Sequence, residues 1–437
     1  MVQKDMWPEK GRRGRLGLYA TQILCVLFLF HLLCIELTFK GTPSQQIKLD
    51  ILVTGRQILL DSKPVISSAV KKDVINSIVK KDDHNQSLQY LLTRLVGGED
   101  RTKLETTGFA CDNTSWSLMC VTNRPIKLDT ATMQVHLHPS RLTTTKNTTT
   151  VVRPYSMQES PYVMNYITPV TITATATPPP NVTCDHNHQH PAVIFSSGGY
   201  TGNLFHEFNE NIIPLFITTR LFESRMHFVV VDYKSSFINK YRRVFARLSD
   251  HPIINTAEDS AVHCFPAAVT GLKYHQFLGV NTSENPKGYY SMLDFRQFIM
   301  QTYKLKHKSV VMVGAHGAGL ANELFLPHGA VMIQVRPLGF QWGTDSFYSE
   351  PGPGMGLKYL EYRIEPEESS LAEVYGLDHP VVRDTASVAA KGGYAAAREV
   401  YLDKQDLRLN LNRFRETLVE ALGFIGHHKD VDQHSIS

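Results

Sequence analysis

The chain has 437 residues, of which 42% are hydrophobic and 10% aromatic, values typical of a globular protein with room for two ordinary domains plus appendages. Its formal net charge is +4, and the first fifteen residues contribute +3 of it, through five basic residues against Asp5 and Glu9. The remaining chain is nearly neutral, which excludes a nucleic-acid partner held by phosphate contacts.

The N-terminal region predicts a membrane anchor. Residues 16–35 carry no charge over twenty positions, which at about 1.5 Å per residue spans a hydrocarbon core of roughly 30 Å. A cleaved secretory signal is the alternative, but it usually has a shorter apolar core and a small-residue exit site. The basic residues 1–15 would form a cytosolic tail, and the chain beyond the anchor would be lumenal.

Two further features predict a lumenal environment. Four cysteines beyond the anchor permit two disulfides in three connectivities. They are Cys111, Cys120, Cys184 and Cys264. Five N-glycosylation sequons begin at Asn85, Asn113, Asn147, Asn181 and Asn281. Sequons are expected on the surface loops of a lumenal protein.

Residues 36–105 mix Lys, Asp, Ser and Gln with short apolar pieces and show no sustained period. This pattern predicts a stem that holds a folded domain away from a membrane. Short strands with turns follow from Gly108. In residues 168–180, a β-prone run ends in three prolines, which favours an edge strand or a linker over a central strand.

After these prolines, strand and helix patterns alternate. AVIFSS and MHFVVVDY have the composition of strands. The run between them, NLFHEFNENIIPLFITTRLF, has a helical pattern interrupted at Pro214. Further strands are predicted at Ser309–Gly314 and Ala330–Val335, and an amphipathic helix at about Asp406–Phe424.

This order predicts an α/β fold of two doubly wound, Rossmann-type lobes. We place the N-terminal, acceptor lobe at 106–288 and the C-terminal, donor lobe at 289–437. In such sheets helices cover both faces, and ligands bind outside the carboxyl ends of the strands.

The glycine-rich turn in VGAHGAGLANELF predicts an anion site. Gly314, Gly317 and Gly319 lie between a strand and a helix, where backbone N–H groups and a helix N-terminus face open space. A tight turn that binds nothing is the alternative, because the spacing G-x-x-G-x-G differs from the dinucleotide fingerprint. HGAG also resembles the oxyanion loop of esterases, but the chain contains no G-x-S-x-G nucleophile elbow, which disfavours a hydrolase.

The helix after AVIFSS begins Asn203-Leu-Phe-His206-Glu207-Phe-Asn-Glu210. His206 and Glu210, at i and i+4, share one helix face, and the carboxylate can orient the imidazole and raise its basicity for removing a proton. The alternative is an ordinary polar face of a surface helix. A zinc protease is disfavoured, because H-E-x-x-H requires a second histidine where Glu210 stands.

The segment CDHNHQH, residues 184–190, carries histidines at alternate positions, as metal ligands on an extended segment would be placed. We expect a solvated loop without a metal instead. Three prolines precede the segment, it includes no helix, and Cys184 is expected to be oxidised.

Taken together, these residues resemble plant members of glycosyltransferase family 61, the group that contains xylan arabinosyl- and xylosyltransferases. The resemblance runs from about Gly108 to Phe424, and a set of blocks is far more specific than any single motif. The blocks are FSSGGYTGNLFHEFNENIIPLFIT, VVVDYKSSFINKYRRVFARLS, VHCFPAAVTGLKYH, YSMLDFRQFI, VMVGAHGAGLANELFLPHGAVMIQV, MGLKYLEYRIEPEESSL and VYLDKQDLRLNLNRFRETLVEAL.

The resemblance implies a type II Golgi membrane protein with a two-lobed GT-B fold and inverting chemistry. It implies a UDP-pentose donor and a xylan acceptor, with no obligatory metal or cofactor, and a polysaccharide-synthesis complex as a further partner. The donor would lie against the glycine turn and its flanks. The residues concerned are Gly314, His316, Gly317, Ala318, Gly319 and Asn322.

On the acceptor side the resemblance implies that Gly202 and Asn203 lead into the catalytic helix. His206 would be the base that activates an acceptor hydroxyl, with Glu210 orienting it and Glu207 as the second candidate. Asp is common in the family at the position of Glu210.

One departure separates the chain from the family pattern. After residues 290–309 the family usually has several dozen more residues, including a strand that ends in a basic stretch. Their absence near His307 predicts an incomplete donor lobe. Two functions therefore stay open: an active Golgi enzyme that adds arabinofuranose or xylose to xylan, and a catalytically impaired homologue or splice form that acts as a binding partner.

Overall fold

The computed structural model describes residues 51–53, 87–113, 116–137, 148–174, 182–281, 290–305 and 310–434. The sequence-predicted tail, the anchor, most of the stem and the junction near His307 lie outside these ranges. Within them, no helix is long and apolar enough to cross a membrane. All of the described residues belong to one unit, Asp50–Ser437.

Sixteen strands form three sheets in the described residues. They are β1 Ile51–Val53, β2 Phe109–Asn113, β3 Leu118–Thr122, β4 Ile126–Asp129, β5 Gln134–Leu137, β6 Thr148–Val152, β7 Val170–Ala174, β8 His186–Asn187, β9 Ala192–Ser196, β10 His227–Val231, β11 Ile254–Asn255, β12 Val262–Phe265, β13 Ala268–Thr270, β14 Val311–Ala315, β15 Val331–Arg336 and β16 Lys358–Arg363.

The helices include single turns as well as longer segments. They are α1 Leu88–Thr93, α2 Gly98–Thr107, α3 Pro161–Met164, α4 Leu204–His206, α5 Ile213–Thr219, α6 Ser235–Lys240, α7 Arg242–Leu248, α8 Met292–Tyr303, α9 Gln341–Thr344, α10 Pro351–Gly354, α11 Ser370–Tyr375, α12 Pro380–Arg383, α13 Thr385–Tyr401 and α14 Leu411–His434. Glu207–Ile212 and Asp345–Ser349 are π-helical, and Arg220–Phe222, Ala318–Phe325 and Pro366–Glu368 are 3₁₀ helices.

The central sheet has the order β11-β10-β9-β13-β3-β2, parallel from β11 to β13 and antiparallel beyond. The outer sheet has the order β6-β7-β5-β4-β12-β8 and mixes both directions. The C-terminal sheet, β1-β14-β15-β16, is parallel throughout. The architecture is therefore mixed α/β.

The central sheet is buried on both faces, which explains the continuous apolar runs of β9 and β10. Val193 and Phe195 of β9 pack with the helices in the larger core. Ala192 and Ile194, on the opposite face, pack with Val152 and Ile172 of the outer sheet. The larger core also includes Met312 and Met332 of the C-terminal sheet.

The predicted strands at AVIFSS, MHFVVVDY, Ser309–Gly314 and Ala330–Val335 are confirmed as β9, β10, β14 and β15. The C-terminal half also contains β16, and β1 pairs with β14, so this sheet has four parallel strands rather than two. β16, KYLEYR, carries three charged residues among six and is mostly half-exposed, so its sequence lacks the apolar run of a buried strand.

The described end of the predicted stem is folded. Leu91, Leu92, Leu95 and Leu104, from α1, α2 and the link between them, are buried in the larger core. These residues are therefore part of the packed unit, because buried leucines at helical spacing need a core to cover them. The boundaries of the two lobes remain a prediction.

The cysteines form the disulfides Cys111–Cys120 and Cys184–Cys264. Cys111 and Cys120 lie opposite each other on β2 and β3. Cys184 precedes β8 and Cys264 lies on β12, so the second disulfide joins two neighbouring strands of the outer sheet. This selects one of the three connectivities that the sequence allowed.

Candidate active site

The first half of the candidate site begins at the carboxyl end of β9, where a glycine turn changes the direction of the chain. Gly199 has φ 65°, and a Cβ at this position would lie 2.5 Å from Cζ of Tyr155. Only glycine allows this close approach without displacing the tyrosine. The Gly199 turn therefore packs against the ring of Tyr155, whose hydroxyl group reaches the helical segment that follows the turn.

Asn203 starts that helix, since its side chain accepts a hydrogen bond from the backbone N–H of Phe205 at 3.0 Å. The next turn is π-helical, with the N–H of Ile213 bonded to the carbonyl of Phe208. Pro214 has no N–H to donate to the carbonyl of Glu210, and Ser156 Oγ donates to that carbonyl at 2.5 Å. The predicted interruption at Pro214 thus becomes a π-bulge at the candidate catalytic residues, a common location for one.

His206 and Glu210 form the expected pair. His206 Nδ1 lies 2.5 Å from Oε1 of Glu210, whose side chain is fully buried, whereas that of His206 is 27% exposed. Tyr155 OH donates to the other oxygen of Glu210, and burial next to this carboxylate raises the pKa of Tyr155. The carboxylate fixes the proton on Nδ1, which leaves Nε2 to accept a proton from a substrate hydroxyl.

The Tyr200 ring lies against the imidazole, with centroids 4.4 Å apart. This contact restricts the rotation of the His206 ring. Gly202 and Asn203, the acceptor-side residues predicted from the sequence, are exposed at the edge of this pair.

Glu207 has a different environment from Glu210. Its Oε2 accepts hydrogen bonds from Lys240 Nζ at 2.5 Å and Tyr241 OH at 2.8 Å, and its Oε1 accepts one from the N–H of Gly202 at 3.1 Å. These three hydrogen bonds occupy both oxygens of the buried carboxylate and fix the turn to α6. The geometry therefore favours His206 over Glu207 as the base.

The second half of the site begins at the carboxyl end of β14. His316 Nδ1 lies 2.7 Å from Nε2 of Gln334, and Tyr359 OH donates to Oε1 of the same amide at 2.9 Å. An amide nitrogen is a donor, so His316 carries its proton on Nε2. Burial lowers the pKa of His316 to about 4, which keeps the ring neutral and its Nε2–H available as a donor at neutral pH.

The glycine turn opens away from the core. A Cβ on Gly317 would meet no atom within 4 Å, and Gly319 is exposed, while Gly314 is buried in the strand. The 3₁₀ helix Ala318–Phe325 follows the turn, and its first bond runs from the N–H of Leu320 to the carbonyl of Gly317. The N–H groups of Gly317, Ala318 and Gly319 precede that bond, where a helix has no internal partner for them.

Two other side chains shape this turn. Tyr348 OH donates to the carbonyl of Gly317 at 2.7 Å, and Asn322 Nδ2 donates to the carbonyl of Gly319 at 2.8 Å. Asn322 therefore stabilises the turn through this hydrogen bond. The sequence predicts that Asn322 contacts the sugar donor, and the structure gives it this additional role within the turn.

The two halves of the site lie side by side. Phe347 lies between them, with its ring 4.9 Å from that of Phe205 and 6.1 Å from that of His316. Phe208 packs on Phe325 at 5.6 Å, which joins the helix of His206 to the helix of the glycine turn. A histidine paired with a carboxylate thus lies beside a turn with free-facing amides, across one layer of aromatic rings.

Sequence reasoning missed the residues that support the two histidines. Tyr155, Ser156, Gln334 and Tyr359 lie outside both motifs, and Tyr155 is 55 positions from its partner Glu210. No local spacing connects such residues. Among the sequons, Asn113 is exposed and Asn281 is half-buried, and the other three lie outside the described residues.

Comparison with known proteins assigns the chain to a family, although no family model matches it. A xylan glycosyltransferase of Arabidopsis thaliana is 28% identical over an alignment of 398 residues, which covers 74% of this chain and 80% of that protein. An alpha-1,3-arabinosyltransferase of Oryza sativa subsp. japonica is 31% identical, covering 62% of this chain and 57% of that protein. A beta-1,2-xylosyltransferase of the same organism is 32% identical, covering 62% of this chain and 71% of that protein.

The relatives and the paired halves of the site define a glycosyltransferase. The chain belongs to glycosyltransferase family 61, with plant xylan arabinosyl- and xylosyltransferases as its relatives.

Proposed function

We propose that the chain is an inverting pentosyltransferase with a two-lobed GT-B fold, which transfers arabinofuranose or xylose from a UDP-sugar to xylan in the Golgi lumen. The observation that carries the proposal is the His206–Glu210 pair, 2.5 Å apart, packed beside the open glycine turn. The relatives are named for arabinosyl and xylosyl transfer, which supports a pentose as the transferred sugar.

In the proposed reaction His206 Nε2 takes the proton of an acceptor hydroxyl while that oxygen forms a bond to the anomeric carbon. The bond from this carbon to the UDP oxygen breaks, and both electrons of that bond leave with UDP. Attack from the opposite face inverts the configuration through an oxocarbenium-like transition state. Glu210 and Tyr155 hold the imidazole in the tautomer that this step requires.

The donor diphosphate is proposed to lie at the glycine turn. The amides of residues 317–319 and the neutral Nε2–H of His316 would stabilise the negative charge that develops on the leaving UDP. Such donors are effective when they are fixed before the reaction, and Gln334 and Tyr348 fix them in this way.

The alternative is a catalytically impaired homologue that acts as a binding partner in a synthesis complex. The alignment with the Arabidopsis protein supports it: 398 aligned residues cover 74% of 437 residues, about 323, so some 75 aligned positions have no residue in this chain. The relatives thus carry several dozen residues, in one place or several, that this chain lacks. If they include the basic stretch, two lost charge-assisted contacts predict a UDP affinity lower by roughly 10²–10⁴.

One experiment separates the two functions. The chain and a version with the family segment inserted after His307 are incubated with labelled UDP-arabinofuranose or UDP-xylose and xylo-oligosaccharides, and UDP binding is measured by calorimetry. An active transferase predicts transfer by both proteins. Transfer by the longer protein alone, with no saturable binding at micromolar UDP by the shorter one, would assign the impaired function to this chain. Absence of transfer by both proteins would favour the binding partner, and tight UDP binding by the unmodified chain would show that the glycine turn is sufficient.

In sealed Golgi vesicles, the bulk of the chain should resist added protease, and its digestion would refute the lumenal placement.

A further inference from the structure

Three histidines meet at the edge of the central sheet opposite to His206. His190 precedes β9, His227 opens β10, and His251 lies just before β11. These three strands are parallel neighbours, and His227 is in register with Ala192 at the start of β9. Parallel strands bring their starting residues to one edge, so the fold assembles this histidine cluster, His190, His227 and His251, from three distant positions.

The ring nitrogens of the histidine cluster point toward one another. One nitrogen from each ring lies within 4.8 Å of the other two. His251 Nε2 and His190 Nδ1 are 2.9 Å apart, and the rings of His227 and His251 stack with centroids 4.0 Å apart. His227 is buried, and the other two are half-buried, so the cluster can be reached from solvent on one side.

We propose that the histidine cluster binds a divalent transition-metal ion of the zinc class, with water in the remaining coordination position. Three imidazoles are a ligand set that zinc accepts, and Zn–N bonds of about 2.0–2.1 Å place tetrahedral ligand nitrogens roughly 3.3 Å apart. The observed separations, 2.9 Å between the nitrogens of His190 and His251 and within 4.8 Å for all three rings, bracket that spacing.

The surroundings support an ordered site at this edge. The ring of His188 packs edge-to-face on His227, with centroids 4.3 Å apart, and its Nε2 lies 2.9 Å from Nδ1 of His263, which in turn lies 3.1 Å from Asp259. The sequence predicts a solvated loop at residues 184–190. The structure instead pairs β8 of this segment with β12, and the ring of His188 contacts His227 of the cluster.

The position of the cluster assigns the metal a structural role. β9 has five residues, whose four intervals of about 3.3 Å separate its first and last Cα atoms by about 13 Å. A metal at the start of β9 thus lies far from His206, beyond the carboxyl end, and touches no reacting atom. It would clamp the starts of β9, β10 and β11, so its binding is independent of the proposed transfer reaction.

Metal analysis of the full chain, prepared without a histidine tag and dialysed against buffered Zn²⁺, tests the proposal. We expect one zinc per chain, a melting temperature that rises with added Zn²⁺, and a visible tetrahedral spectrum with Co²⁺ in its place. His190→Gln and His251→Gln should each weaken zinc binding by at least about 10–100-fold. Residues that only hydrogen-bond to a metal ligand already cost that much when they are replaced, and a ligand itself should cost at least as much. Both side chains are half-buried, so these variants avoid the buried His227.

His186→Gln is the matched control. His186 is exposed and its ring packs at a tilt against that of His263, with centroids 4.9 Å apart, outside the cluster. It should keep its zinc and its Co²⁺ spectrum. Equal zinc binding by all four proteins would reveal scattered surface chelation, and less than one zinc in the parent chain with excess metal would overturn the proposal without reference to any variant.

Discussion

His206 and His316 each follow a parallel strand of a buried sheet, yet their partners give them opposite chemistry. His206 contacts a carboxylate through Nδ1, whereas His316 contacts a neutral amide through Nδ1 and is half-buried among aromatic rings. A carboxylate stabilises an imidazolium, and burial without a counter-charge opposes one. The comparison assigns proton acceptance to His206 and neutral hydrogen-bond donation to His316.

Removal of His206 should have the largest effect. General base removal commonly costs about 10²–10⁴ in rate, so His206→Ala in the chain with the family segment inserted should lower kcat by that factor, while UDP binding persists. Initial rates with labelled donor, together with calorimetry, measure both quantities. His186→Ala, at a distant exposed histidine, is the control.

A near-normal turnover for His206→Ala would place the base elsewhere, first at Glu207. The three donors on Glu207 argue against that outcome. Glu210→Gln sharpens the result, because it keeps the shape of the pair and removes the charge that orients His206.

His316 should affect donor affinity rather than the proton transfer. Hydrogen bonds to charged groups contribute about 1.5–3 kcal/mol, so His316→Ala should weaken UDP binding about 10–100-fold. His316→Gln keeps an N–H donor and should recover part of the loss. Because burial holds the pKa of His316 to about 4, UDP affinity should be flat across neutral and mildly acidic pH. A step in affinity near the usual histidine pKa would show that the ring titrates and carries charge to the phosphate.

How far the sequence predicts this site depends on distance along the chain. His206 and Glu210 are four residues apart on one helix, and the glycine turn is continuous, so periodicity and turn chemistry find both. β9 and β10 are five-residue apolar runs, and such runs identify buried parallel strands. These features are local. The structure confirms the two strands and places His206 in contact with Glu210, while the roles of these residues stay predictions.

The features that sequence did not predict are assembled by the fold. Tyr155 reaches Glu210 only because the Gly199 turn lies on its ring, and the histidine cluster depends on the register of three strands. β1 has three residues, too few for a periodic signal. A single sequence does not show which distant residues come into contact, so these contacts follow only from the folded structure.

The last prediction concerns stability rather than activity, at Glu323, which lies in the helix that begins at the glycine turn. Its side chain is fully buried, and neither oxygen has a hydrogen-bond partner among the described residues. Burial raises the pKa of this carboxyl well above its usual value, and the charge of Arg296 opposes the shift without cancelling it. The native chain therefore retains a proton that the unfolded chain releases once the pH exceeds about 4.5. The free energy of unfolding should then fall by up to about 1.4 kcal/mol per pH unit above that value, until the native carboxyl also ionises.

Glu323→Gln cannot ionise, so its urea midpoint should match that of the parent chain at acidic pH and exceed it at neutral pH, with exposed Glu350→Gln as the control. A lower midpoint for Glu323→Gln at neutral pH would mean that Glu323 is ionised in the native state and paired with Arg296. The helix of the glycine turn would then take part in a buried ion pair. Ionised groups would in that case lie near His316 as well as near His206, so the contrast between the two sites would not extend to this helix.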